Sequence, residues 1–456
     1  MDYKANDTIA ALATPPGRGA VAIVRVSGTK AGSIARELAG LEPRPRHAHV
    51  CTFRDEAGLA VDQGLILFFP GPRSFTGEDV VELHGHGGVV VSDWLLGNVL
   101  RLGARPAEPG EFTLRAFLND KLDLAQAEAI ADLVNSGSRV AARAAMRSLD
   151  GEFSHRVDEV QKLLTDLRVQ LEAWLDFPDE ELELEELELE DTGDLKIGFR
   201  TALDSLERLR SGAREGVVLR DGLNVVIAGP PNAGKSSLMN RLAGYDAAIV
   251  TRIPGTTRDP LREHLSLDGL PVSLTDTAGF RASHDPVEAE GIRRAQRAAE
   301  RADRLLWIVD IREDLNEGLA QVRSEIGDDA AVTVIQNKVD LVPAEPGRFE
   351  RDGLTVVRLS ALTGEGVSIL REHLKALAGY GGEVAGAFSA RSRHLDALRR
   401  AESYVRDART QLLQVGALEL AAEELRSAQS ALSELTGAMT SDDLLGEIFS
   451  SFCIGK

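Results

Sequence analysis

Apolar positions along the chain change their spacing from one stretch to the next, and each change marks a different kind of element. Up to about residue 119, short runs suited to strands (Thr8–Ala13, Ala20–Val26, Leu65–Phe69 and Val80–Leu83) are separated by Gly/Pro-rich turns, which predicts a compact mixed α/β domain. From Leu122 to about Arg214 the period becomes helical. There Val157, Val160, Leu164, Leu167, Leu171 and Trp174 recur at spacings of three and four, the apolar stripe of an amphipathic helix. The runs Asn224–Ala228, Val272–Thr275, Leu305–Val309, Val332–Gln336 and Leu354–Leu359 then alternate with helical stretches, the pattern of a parallel, doubly wound sheet. After about Gly386 the helical spacing returns, first through Leu395, Leu398, Val405, Ala408 and Leu412, then through Leu418, Leu425, Ala428, Leu432 and Leu435. The expected architecture is a multidomain α/β + α chain: an N-terminal α/β domain (1–119), a helical domain in two parts (120–215 and 381–456), and an α/β domain (216–380) inserted between those parts.

Composition narrows the setting. A chain of 456 residues is too long for one hydrophobic core, and its 43% hydrophobic content is enough for several. Cys51 and Cys453 stand alone, in no metal-like spacing, so a disulfide framework is not expected and a reducing compartment fits. The N-terminus shows no basic segment followed by a long apolar one, and no apolar run approaches the roughly 20 residues that span a bilayer. The expectation is a cytoplasmic protein with no membrane partner. A formal charge of −20 counts against broad electrostatic binding to nucleic acid and leaves room for local contact. Nine acidic residues and no basic ones between Asp179 and Asp191 supply −9 of that charge, as a solvated linker or helix end would.

Candidate chemistry concentrates in the inserted domain. Gly229-Pro230-Pro231-Asn232-Ala233-Gly234-Lys235-Ser236 follows the strand-like NVVIA and precedes a helical SLMNRLAG. A loop of this type curls its backbone N–H groups, here from Asn232 through Ser237, around phosphates. Lys235 supplies charge to the β/γ-phosphates, and the Ser236 hydroxyl can ligate Mg²⁺. Asp276-Thr277-Ala278-Gly279 ends the next strand, where an acid can hold the Mg²⁺ shell and a glycine N–H can meet the γ-phosphate. In Asn337-Lys338-Val339-Asp340 the carboxylate can accept both N1–H and the 2-amino group of guanine, donors that adenine does not offer together. GTP is therefore favoured over ATP. Ser360-Ala361-Leu362 stands where a backbone N–H would contact guanine O6. Between the phosphate loop and Asp276, VTRIPGTTRD is the expected switch loop, with Thr257 the preferred second Mg²⁺ ligand. Ras-like GTPases place a water-orienting Gln after the Gly of the DTAG motif. Here that residue is Phe280, which can neither accept nor donate the bond, so another group must position the water.

Two features outside this domain suggest chemistry less strongly. His84-Gly85-His86 has the look of a metal pair, but no ligand cluster accompanies it and a Gly-rich turn explains it equally well. Cys453 is a candidate thiol nucleophile, against the ordinary expectation of a small buried residue.

Taken together, these motifs resemble the tRNA-modification GTPase MnmE (TrmE) family over essentially the whole chain. The resemblance covers TIAALATPPGRGAVAIVRVSG, SFTGEDVVELHGHGG, EFTLRAFLNDKLDLAQAEAIADL, the nucleotide motifs and the terminal FCIGK. It implies a Ras-like P-loop GTPase domain, a folate-binding N-terminal domain through which two copies dimerise, and a flavoprotein partner, MnmG, in a heterotetramer. It implies the installation of an aminomethyl or carboxymethylaminomethyl group at C5 of the wobble uridine of certain tRNAs, from a tetrahydrofolate-borne one-carbon unit. It also implies a K⁺ ion beside the phosphates, held by Asn232, Thr251, Ile253 and Thr256; Asn232, Thr251 and Thr256, with Thr257, also line the GTP site. A water-orienting glutamate aligns with Glu288, with Glu290 a nearby rival. The folate positions that carry over are Arg25, Glu82, Lys121 and Lys456. The element FPEEEID of the family is replaced by Phe177-Pro178-Asp179-Glu180-Glu181 and a Leu/Glu stretch. The competing function is a GTP-gated assembly or ribosome-associated switch without RNA chemistry; the segments around Arg25 and Glu82 and the FCIGK tail favour modification.

Overall fold

The computed structural model describes residues 7–55, 57–176, 191–245, 262–276, 302–326, 331–380, 387–438, 442–450 and 452–455. The chain divides into two compact units. One comprises Met1–Ala131, Ser148–Leu206 and Ala397–Lys456, the other Asp132–Arg147 and Glu207–Asp396.

The first unit contains a six-stranded sheet of β1 (Thr8–Leu12), β2 (Val21–Gly28), β3 (His49–Arg54), β4 (Ala60–Phe69), β5 (Val80–His86) and β6 (Arg105–Pro106), in the order β3-β4-β5-β2-β1-β6. Its pairs are antiparallel except β1–β6. Strand alternation sends Val24, Val26, Ile66, Val81 and Leu83 into a core with Leu95 and Val99 of α2 (Val89–Arg101) and Ile34 of α1 (Ala31–Ala39). Arg25, Glu82 and His84 fall on the other parity and are half-buried. The helix α3 (Glu111–Leu118) follows and packs Phe112 against Ile9 and Ala11.

The predicted stripe of the long helical block lies on α6 (Glu152–Asp176), where Val157, Val160, Leu164, Leu167 and Leu171 are buried. The second predicted helical block includes Leu418–Thr436, with Leu425, Ala428, Leu432 and Leu435 buried. That helix is tied to α6 by polar contacts: Gln161 Nε2 donates to the Gln429 carbonyl at 2.9 Å, and Arg168 Nη1 to Gln429 Oε1 at 2.6 Å. Two further helices, α4 (Leu124–Val134) and α5 (Arg139–Leu149), precede α6, and α7 (Asp191–Asp221) leads into the second unit's sheet.

That sheet has seven strands: β7 (Leu223–Ala228), β8 (Arg262–Leu267), β9 (Leu270–Asp276), β10 (Arg304–Asp310), β11 (Val332–Asn337), β12 (Gly347–Arg351) and β13 (Leu354–Arg358), ordered β12-β13-β11-β10-β7-β9-β8. The central five run parallel, and β8 and β12 close the edges antiparallel. The five predicted runs lie in the parallel strands, with Leu359 just beyond the end of β13. Neither edge strand shows as an apolar run, because REHLSL and GRFER are too polar. A local signal for them existed: Asp268-Gly269 and Asp352-Gly353 both have positive φ at each residue and connect strands paired at Leu267↔Leu270 and Arg351↔Leu354, the geometry of two-residue hairpin turns.

Candidate functional site

Parallel register brings the chemistry to one edge of the second sheet. Ile227 pairs with Asp276 and Asp310 with Asn337, so the loops after β7, β9, β10 and β11 all leave from the carboxyl ends of adjacent strands, where open α/β sheets bind ligands. The phosphate loop after β7 is shaped by residues that tolerate positive φ: Gly229 (137°), Asn232 (61°) and Gly234 (104°). A Cβ on Gly229 would lie 2.2 Å from the Ile308 carbonyl oxygen, and one on Gly234 would lie 2.1 Å from Asn337 Nδ2, so neither position admits a side chain. The loop opens into α8 (Lys235–Tyr245), whose N-terminal N–H groups and dipole favour an anion. Lys235 Nζ folds back over the loop, donating to the carbonyls of Gly229 (2.8 Å) and Pro230 (2.7 Å). Ala233 is buried, whereas Asn232, Ser236 and Ser237 are exposed at the loop surface.

Asn337 joins the phosphate loop to the loop that carries Ser360–Leu362. Its Nδ2 donates to the Ala233 carbonyl at 2.8 Å, and its Oδ1 accepts the Ala361 N–H at 2.9 Å. Lys338 adopts a left-handed φ of 72° and places Nζ 2.7 Å from Asp310 Oδ2. The Asp310 carboxyl is held well below the usual range, chiefly by the hydrogen bond from Arg312, which together with that of Lys338 outweighs the upward push of burial. This anchor from the end of β10 was not visible in the sequence, since an Asp ending a strand has no motif of its own. Asp340 is exposed in the short turn Val339–Leu341, Ser360 is fully buried, and Leu362 is 73% exposed. Asp276 ends β9 as expected. Thr251, Ile253, Thr256, Thr257, Thr277, Ala278, Gly279, Phe280, Glu288 and Glu290 lie outside the described residues.

A second constellation forms on the first sheet. Arg25 and Glu82 are register partners, and Arg25 Nε and Nη2 donate to Glu82 Oε1 at 3.1 and 2.9 Å. His84 Nε2 sits 3.2 Å from Glu82 Oε2. The Arg25 guanidinium lies 5.6 Å from the Phe75 ring centre and 5.9 Å from that of Phe112. Phe75, His84 and Phe112 are not among the expected site residues: strand β5 sets His84 beside Glu82, whereas Phe75, in the loop after β4, and Phe112, on α3, reach Arg25 only through the packing of the folded unit. Lys121 is exposed in the turn after α3. Lys456 lies outside the described residues, but the residue before it is placed: a Cβ on Gly455 would come within 2.5 Å of the Leu12 carbonyl oxygen, at the end of β1. Cys453 is exposed, contrary to the expectation of a buried residue, because Phe452 and Gly455 take the inward positions of the tail. His84 and His86 serve different carboxylates, since His86 Nδ1 pairs with Asp62 at 2.6 Å. Among the described residues no group of three or more His, Cys, Asp or Glu could hold a metal ion, and no helix is long and apolar enough to cross a membrane.

The family described as MnmE helical domain matches residues 124–453, and that described as GTP-binding protein TrmE N-terminus matches residues 8–121. A protein of Nitrosococcus oceani named tRNA modification GTPase MnmE is 53% identical over 451 residues, covering 99% of this chain and 97% of its own length. A protein of the same name from Hydrogenovibrio crunogenus is 52% identical over 456 residues, covering 100% of both chains.

Proposed function

The chain belongs to the tRNA modification GTPase MnmE family, and on that premise we propose that it is a K⁺-stimulated GTP hydrolase that modifies C5 of the wobble uridine of certain tRNAs together with MnmG. It would act in the cytoplasm as a homodimer within a heterotetramer. The observation that carries the nucleotide half is the Asn337 bridge, which fastens phosphate cradle and base-reading loop into one frame. Lys235 would exchange its loop carbonyls for β/γ-phosphate oxygens, and Ser236, with Thr257, would hold Mg²⁺. Asp340, exposed beside this frame, would accept the two guanine donors.

Asp340→Asn replaces an acceptor by a donor facing N1–H. GTP affinity should fall by about tenfold or more, since a charge-assisted hydrogen bond contributes roughly 1.5–3 kcal/mol, while xanthosine triphosphate gains. Equilibrium titration with both nucleotides checks this, and unchanged binding of the pair would remove the guanine assignment.

The one-carbon half rests on Arg25 and Glu82. A carboxylate offers about four acceptor positions. Arg25 fills Oε1 with two bonds and His84 takes one position on Oε2, so Glu82 would receive the paired N–H donors of a pterin only once Arg25 turns away from it, beside Phe75 and Phe112. Lys121 and Lys456 suit the glutamate tail. Tetrahydrofolate would supply the carbon unit; the protein's part is to bind and orient it. Calorimetry with reduced folate should show binding that Arg25→Ala or Glu82→Ala weakens while GTP affinity stays unchanged. Absence of heat at millimolar folate would end this reading.

A further inference from the structure

The base-reading loop is gripped from a direction the nucleotide motifs do not include. Arg241, half-buried two turns along α8, donates from Nε to the Ala361 carbonyl at 3.0 Å and from Nη2 to the Leu362 carbonyl. The guanidinium fork thus holds two successive peptide planes of the loop at once, which a single ammonium cannot do. In a planar trans peptide the C=O and the following N–H point opposite ways. Holding the Ala361 carbonyl towards α8 therefore turns the Leu362 N–H away from it.

The neighbouring amides are already committed. Ser360 N–H donates to the Glu365 carbonyl (2.8 Å), Ala361 N–H to Asn337 Oδ1 (2.9 Å), Thr363 N–H to Ser360 Oγ (3.1 Å) and Gly364 N–H to the Ser360 carbonyl (2.9 Å). The Glu365 N–H reaches Thr363 Oγ1 at 3.4 Å. Among the N–H groups of Ser360–Glu365 that of Leu362 alone has no partner among the described residues, and Leu362 is 73% exposed.

We infer that Arg241 is a positioning residue for base recognition: by fixing the carbonyls of Ala361 and Leu362 it presents the Leu362 N–H to the 6-oxygen of the purine. The inference rests on the guanine-nucleotide reading and adds to it a donor and the side chain that aims it. Arg241 also stands on the helix whose first turn bears Lys235 and Ser236, so a single element sets both the phosphate and the base ends of the site.

The test compares GDP with 6-thioguanosine diphosphate, which keeps N1–H and the 2-amino group for Asp340 but replaces O6 by a weakly accepting sulfur. Wild-type protein should prefer GDP. R241A should lose about fivefold in GDP affinity, the equivalent of one neutral hydrogen bond, and change little towards the thio analogue, so that the preference collapses. R241K, which can reach one carbonyl, should recover part of it and serves as the reporter if R241A does not fold. Equal losses for both nucleotides in either variant, or an intact preference, would overturn the inference. If the wild-type protein bound neither nucleotide better than ADP, the guanine reading itself would fall and the inference with it.

Discussion

Replacing Arg115 by Met is expected to destabilise the first unit by about 3–5 kcal/mol at neutral pH, the usual cost of removing one partner from a buried ion cluster. The Arg115 side chain has no solvent exposure. Its Nη1 donates to the Asp7 carbonyl (3.2 Å) and to both Glu78 oxygens (3.2 and 3.0 Å), and its Nη2 donates to Glu111 Oε1 (3.0 Å) and to Asp7 Oδ1. Arg105 reaches Asp7 Oδ2 at 2.6 Å and Glu111 Oε2 at 2.9 Å. Without Arg115, Asp7 and Glu111 would share Arg105 alone and Glu78 would keep no guanidinium, only the Ser27 hydroxyl and neighbouring groups.

Acid should narrow the difference. Burial pushes the Asp7 and Glu111 carboxyls up, but in each the hydrogen bonds, those of Arg105 and Arg115 among them, outweigh it and leave the net shift downward. A depressed folded-state pKa contributes stability that is complete above the unfolded values, near 3.9 for Asp and 4.3 for Glu, and is lost as pH falls through the folded ones. The wild-type protein loses this contribution in acid, whereas protonation relieves the stranded carboxylates of Arg115→Met. Urea unfolding at pH 7 and pH 3 measures both effects. A loss under about 1 kcal/mol at pH 7, or a gap that widens in acid, would contradict the role assigned to Arg115.

Glu288→Ala is expected to slow GTP hydrolysis by about 10²-fold or more while sparing nucleotide affinity, the range for a group that orients the reacting water. The need for such a group follows from Phe280, which cannot take the role of the Ras-like Gln. K⁺, held by Asn232 with backbone oxygens of Thr251, Ile253 and Thr256, would neutralise charge developing in the transition state. Asn232 is suited to this, being exposed and held at a left-handed φ of 61° on the phosphate loop. Exchanging K⁺ for the smaller Na⁺ should therefore lower the single-turnover rate far more than it weakens GTP binding, which is how a transition-state interaction shows itself. Glu290→Ala separates the two glutamates, and near-normal turnover is expected for it. Equal rates in the two salts, or a fully active Glu288→Ala protein, would place the water under another group.

Much of the second unit's site was legible because its chemistry is local. Gly229–Ser236, Asp276, Asn337–Asp340 and Ser360–Leu362 are short segments whose residue types dictate backbone shape or donor pattern by themselves, and β7 and β11, which lead into the first and third of them, are buried almost throughout and so read as nearly continuous apolar runs. The edge strands β8 and β12 carry polar residues and were announced only by their Asp-Gly turns. The amino-acid sequence by itself therefore determined the nucleotide, the alternation of strands and helices, and the stripes of α6 and Leu418–Thr436.

Tertiary structure alone decided which distant side chains meet. Arg25 finds Glu82 through the β2–β5 register, Arg115 gathers Asp7, Glu78 and Glu111 from three separate segments, and Arg241 reaches across to Ala361 and Leu362. Hydrophobic period says which face of an element is buried but not which strand lies beside it, and a one-residue change of register would turn Arg25 to the other face. The exposure of Cys453 is of the same kind: it depends on Phe452 and Gly455 docking inward, Gly455 against β1, an outcome set by packing rather than by the identity of the cysteine.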